Sequence, residues 1–214
     1  MIRKLIVFCL FILGSQALFA QEERDFYLWQ ETGFGLKLDE NYTFSFKAKV
    51  QYRANDNFRD FTYVDFTVLR RMNPWLNLGL SFRGAEIGKL SGNILEYRPQ
   101  FLTGVHYKFG KVNCKSTNRI EYRTFSKGKA HFRYYHNIFI HFPSFPGCPK
   151  PYIGEELFTK LNNERLYLTR VYGGLHLLEL DILKVDAYYV WQETKRNGQW
   201  RPSDVLGLNL KFVI

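Results

Sequence analysis

The chain has 214 residues and a formal net charge of +10, with 46% hydrophobic and 18% aromatic residues and a mean hydropathy of −0.28. That size is one domain, and no stretch approaches eighteen uninterrupted apolar residues, which excludes a membrane protein built from spanning helices. A basic excess suits nucleic acid, anionic lipid or an anionic solute. An exported chain without a recognition-helix or RNA-binding signature excludes nucleic acid.

Export is read from the first residues. Arg3 and Lys4 precede an apolar run from Leu5 to Leu13, and Ala17-Leu18-Phe19-Ala20 places small residues three apart before Gln21. This is the layout of a cleaved secretory leader, so residues 1–20 are expected to be a signal peptide and 21–214 the mature domain. The apolar run is too short to span a bilayer as a helix.

From there the chain alternates with period two. Residues 25–38 carry Phe26, Leu28, Phe34, Leu36 and Leu38 on one parity, and Asp39-Glu40-Asn41 turns the chain. The clearest stretch is Tyr42 to Arg53, where every even position is apolar or aromatic and every odd one polar or basic. Its apolar row, Phe44, Phe46, Ala48 and Val50, is bracketed by Tyr42 and Tyr52. Ten residue steps make ~33 Å of strand, and a tilt of ~40° brings that to ~25 Å, the height of the apolar band of a transmembrane barrel. Tyrosines at both rims suit the two membrane–water interfaces.

Residues 54–60 read as a polar loop, and 61–72 alternate again, Val64, Phe66 and Val68 against Asp65 and Thr67. Asn73-Pro74 is a tight turn. Leu76, Leu78, Leu80 and Phe82 then oppose Asn77, Ser81 and Arg83, and a glycine-containing loop is expected over 84–93. Leu95, Tyr97, Phe101, Val105, Tyr107 and Phe109 face away from Glu96, Arg98, Gln100 and His106. Strands follow at 112–125, 131–142, 151–160, 164–177 and 182–193, a loop is expected from Thr194 to Pro202, and Leu206 to Ile214 alternates to the final residue.

These elements predict an all-β fold: an antiparallel up-and-down transmembrane barrel of ten to twelve strands. Eleven candidate segments sit awkwardly with the even counts of single-chain bacterial barrels. The expectation is therefore that one segment, 25–38 or 151–160, does not span, or that a further strand has gone unread. Short turns are expected at one end and longer loops at the other.

Several of these stretches also resemble a family. Asp25-Phe26-x-x-Trp29, the segment Pro151-Tyr152-Ile153-Gly154-x-Glu156-Leu157-Phe158, Arg165-Leu166-Tyr167 and the closing Leu206-Gly207-Leu208-Asn209-Leu210 are similar to domain-of-unknown-function family 2490, an uncharacterised set of outer-membrane proteins. The resemblance implies an outer-membrane barrel in a double-membraned bacterium. It supplies no activity and no site residues.

The polar parity names the candidate lumen lining: Lys47, Lys49, Arg53, Arg119, Glu121, Arg123, Arg133, Arg170, Lys184 and Asp186. Such a set either fills a narrow interior with salt bridges or forms a basic constriction that favours anions. Cys9 leaves with the leader; Cys114 and Cys148 fall near one rim and are a candidate disulfide in an oxidising periplasm. His131, His136 and His141 do not converge, since period two puts His136 on the opposite face, so no metal site is expected. Glu155 and Glu156 likewise diverge and are not a paired acid and base. No cofactor is indicated. The leading functional expectation is a narrow basic-lined barrel, structural or a small anion-leaning channel, with outer-membrane lipid, lipopolysaccharide, the barrel-assembly machinery and a small anionic solute as partners. The alternative is a lipid-modifying enzyme of phospholipase or lipid A deacylase type, using Ser126 or Ser203 with His131.

Overall fold

The computed structural model describes residues 24–144, 149–162 and 165–213. The expected leader lies outside them. The described residues form eleven strands: β1 (Asp25–Lys37), β2 (Tyr42–Arg53), β3 (Phe58–Asn73), β4 (Leu76–Ile87), β5 (Ile94–Phe109), β6 (Val112–Phe125), β7 (His131–His141), β8 (Lys150–Lys160), β9 (Arg165–Glu179), β10 (Leu183–Arg196) and β11 (Gln199–Val213). Each pairs with its neighbours in chain order, and β1 meets β11 to close a barrel.

The odd count resolves itself in that closure. Hairpins reverse direction at every turn, so a first and an eleventh strand run the same way and can pair only in parallel. They do so from Asp25↔Ser203 to Gly35↔Val213, while the other ten pairings are antiparallel. Both doubted segments are therefore full members of the wall, as β1 and β8. The purely antiparallel expectation gives way to one parallel seam.

The loop expected from Thr194 to Pro202 is also corrected. β10 runs on to Arg196 and β11 starts at Gln199. Only Asn197 and Gly198 turn the chain, both with positive φ (51° and 84°). That is the Asn-Gly pair that two-residue hairpins favour, because its twist matches that of the flanking strands. Pro202 stands just before the β1–β11 pairing begins at Ser203, where one side of β11 has no ladder to lose. Similarly, β4 continues through Gly84 to Ile87, and β3 already starts at Phe58. Nor do loop lengths separate the two ends. The end holding Arg53 and Arg196 (the upper end below) includes the two-residue turn, and the longest connection, between His141 and Lys150, lies at the lower end.

Burial is inverted relative to a soluble domain. Glu121 and Glu96 are fully buried, and Lys49, Asp65, Arg83, Arg98, Gln100 and Arg133 nearly so, all on the inner parity. The outer parity shows Leu80 at 67% exposure, with Phe34, Phe66, Phe82, Phe101 and Leu206 also exposed. The rim tyrosines Tyr42 and Tyr52 belong to this outer belt. Inside, the apolar cluster is small: Tyr27, Trp29, Tyr172, Val190 and Val205, with Phe139 and Tyr188 against it.

Candidate functional site

The interior is a charge network with a cavity beside it. Two buried carboxylates hold four arginines. Glu121 takes Nε of Arg133 at 2.5 Å and Nη2 of Arg119 at 3.1 Å, with Arg98 at 3.7 Å. Glu96 takes Arg98 at 2.8 Å and Arg123 at 2.5 Å. The Tyr167 hydroxyl accepts from Arg133 at 2.9 Å and Arg123 at 3.4 Å, tying β9 into the cluster. Around the wall, Asp65 accepts from Arg83, Ser81 and Thr67, each at 2.8 Å, and from Gln100 at 3.3 Å. Glu156 accepts from Tyr135, Tyr172 and Arg170. Charged hydrogen bonds in an enclosed, poorly solvated space are stronger than on a surface, and each unpaired partner costs correspondingly more.

Three of these pairs are directly opposed across neighbouring strands: Asp65↔Arg83, Glu121↔Arg133 and Glu156↔Arg170. Opposed positions put Cβ atoms ~5 Å apart, within reach of an arginine–carboxylate fork.

A cavity of about 680 Å³ adjoins the network. Along β10 it touches Asp186, Tyr188, Gln192, Thr194 and Arg196, so it follows the barrel nearly from end to end.

The sequence candidates divide by position. Lys47, Lys49, Arg119, Arg123, Arg133, Arg170 and Asp186 line the cavity, and Glu121 is buried under the arginines it holds. Arg53 stands at the upper rim, its Nε and Nη2 bonded to Asp56 at 2.9 and 2.7 Å. That bond holds the Asp56 carboxyl below its ordinary range. Lys184 stands at the lower rim on Glu179, which also holds Lys150. Cys114 is on the outer parity of β6 opposite Ile140, and Cys148 lies outside the described residues. The sequence candidates omit Glu31, Asp65, Arg83, Glu96, Arg98 and Glu156. All sit on the polar parity of their strands, which is the signal that finds them.

The histidines are dispersed, with one new association. His131 stacks on Phe125 with its ring nitrogen 3.4 Å from the Lys129 carbonyl. His136 faces outward, 2.9 Å from Asn118. His141, however, meets His176: Nδ1 of the first lies 2.9 Å from Nε2 of the second, and Nδ1 of His176 lies 2.5 Å from Asp186. Which ring nitrogen donates in each of these two contacts is set by the tautomers of the two imidazoles. Among the described residues, no group of three or more His, Cys, Asp or Glu is arranged to hold a metal ion. Among the described residues no hydrogen bond joins Ser126 to His131, and the Ser126 hydroxyl accepts from Leu95 N–H at 3.0 Å. Ser203 is buried and bonded to Gln192.

Three inward rings keep the cavity open. Phe139, Tyr152 and Tyr188 lie over Gly154, Gly174 and Gly207, the glycines directly opposite them on the next strand. A Cβ at any of the three would fall within the ring. Gly207→Ala is therefore expected to push Tyr188 into the cavity and to destabilise the barrel by ~1–3 kcal/mol, the range for overpacking. Urea titration in lipid vesicles measures this, and an unshifted midpoint would show that the ring has room to move.

The architecture is that of a closed β-barrel with a charged interior and an apolar exterior. The chain belongs to the family described as Protein of unknown function (DUF2490), whose model matches residues 26–202. No curated protein matches the chain.

Proposed function

We propose that this chain is an outer-membrane β-barrel of a double-membraned bacterium, with a narrow, basic-lined interior that favours small anions. The inverted burial is the observation that carries the reading. Soluble proteins rarely expose apolar patches beyond a few hundred Å², whereas this belt runs around every strand of a wall with no open edge. A bilayer matches such a belt, and a closed barrel satisfies all backbone groups within it. The partners follow from that location: lipid and lipopolysaccharide against the belt, and the assembly machinery that inserts such barrels.

The anion preference rests on the interior. Ten cationic side chains (Lys47, Lys49, Arg83, Arg98, Lys115, Arg119, Arg123, Arg133, Arg170, Arg196) face seven acidic ones (Glu31, Asp60, Asp65, Glu96, Glu121, Glu156, Asp186) around the cavity and its network. Rings of Arg and Lys select anions in pores. Purified barrel in a planar bilayer under a salt gradient is expected to give small conductance steps with a reversal potential of anion sign. A cation-signed reversal would overturn the anion reading, and the absence of any steps would leave a structural barrel. With Ser126 and His131 unpaired as described, no observation favours the lipid-modifying alternative.

A further inference from the structure

Lys49 is a buried cation of the cavity that bonds no acid among the described residues. It stands directly opposite Glu31 on β1, yet the contacts of Glu31 go to Lys47 at 3.3 Å and to the Tyr63 hydroxyl at 2.6 Å. The other carboxylate of this region, Glu156, likewise bonds other donors: Tyr135 bonds Oε1, and Arg170 and Tyr172 bond Oε2. Lys49 is only 8% exposed, and its ammonium lies 3.6 Å from the centre of the Trp29 ring. Among the described residues it makes no hydrogen bond or ion pair.

Trp29 adds a second unmet donor. It is 3% exposed, lines the same cavity, and its indole Nε1 is buried without an acceptor. Arg170 lies over the same ring at 4.6 Å and adds positive charge. A ring face attracts an ammonium but offers no lone pair. The Lys49 ammonium thus meets the cavity with no acceptor among the described residues, beside an indole N–H that is buried without one, where buried donors are otherwise almost always satisfied.

We propose that Lys49 and Trp29, backed by Arg170, form a binding site for a small oxyanion of the carboxylate or phosphate class. Several directed donors call for several acceptor oxygens, and the cavity limits the size. The site rests on the anion-leaning reading and adds a discrete station to it.

The test titrates the folded full-length barrel in detergent with inorganic phosphate and, separately, with acetate, using chloride at equal ionic strength as the control. Calorimetry on the wild type is expected to show saturable binding of phosphate or acetate, and the arm that saturates identifies the class. Lys49→Gln should weaken that binding at least tenfold and Trp29→Phe by less, while Lys184→Gln at the rim leaves it unchanged. Heat-modifiable migration on gels confirms that each variant is folded. Equal binding of chloride, an equal loss in Lys184→Gln, or no loss in Lys49→Gln would each overturn the site. Anion-selective conductance without saturable binding overturns the site and leaves the passage standing. Saturable binding lost in Lys49→Gln, in a barrel that passes no current, keeps the site and removes the passage.

Discussion

Replacing Glu121 with glutamine is expected to destabilise the barrel by ~3–5 kcal/mol, the range for breaking a buried ion pair from one side. Glu121 is fully buried. It is the acid partner of Arg119 and Arg133 and shares Arg98 with Glu96. Glutamine keeps the volume and one acceptor oxygen, so what is lost is charge. Arg119 is left over the Tyr135 ring at 3.8 Å and Arg133 with the Tyr167 hydroxyl at 2.9 Å, neither of them an anion. Two further arginines of the cluster, Arg98 and Arg123, then crowd Glu96 alone. Urea unfolding in vesicles reads the loss directly. Adding Arg133→Met to Glu121→Gln should recover part of it, because the second change removes one stranded charge. A single variant within 1 kcal/mol of the wild type would mean that cavity water solvates these arginines well enough to replace the charge of Glu121.

The wall was legible in the chain and the network was not, for one physical reason. Alternation is local: Tyr42 to Arg53 shows which face is wet without any knowledge of neighbours. Partnership is set by register, which depends on which strands meet and where their turns fall. Arg83 reads as inward from its own strand, but its contact with Asp65 needs the β3–β4 offset. Closure is less local still, since β1 and β11 are separated by nearly the whole chain and no pattern in either declares a parallel seam. His141 and His176 lie on β7 and β9, with β8 between them, so only the curvature of the wall brings their rings together. The Asn197-Gly198 turn is a different kind of miss. Its signal was local and strong, but the polar residues and the proline around it suggested a longer loop. At Lys49 even the register is not enough: it sets Lys49 opposite Glu31, and the contacts of Glu31 go to Lys47 and Tyr63.

Leu80→Arg separates a membrane wall from a water-exposed one. Leu80 lies on the outer face of β4, between Val68 on β3 and Phe101 on β5. At 67% it is among the most exposed large apolar side chains of the wall. On the lipid face of a barrel, arginine near the midplane costs ~2–4 kcal/mol, falling toward zero near the interfaces. On a surface in water, the same change is usually within ~0.5 kcal/mol. Folding into phosphatidylcholine vesicles is therefore expected to weaken by ~2–4 kcal/mol in Leu80→Arg, read from the urea midpoint. Leu90→Arg, in the connection between β4 and β5 with 91% exposure, should shift nothing. Equal stability of the two variants would mean that Leu80 does not meet hydrocarbon. The belt would then need another cover, and the proposed anion passage would lose the membrane that gives it two sides to connect.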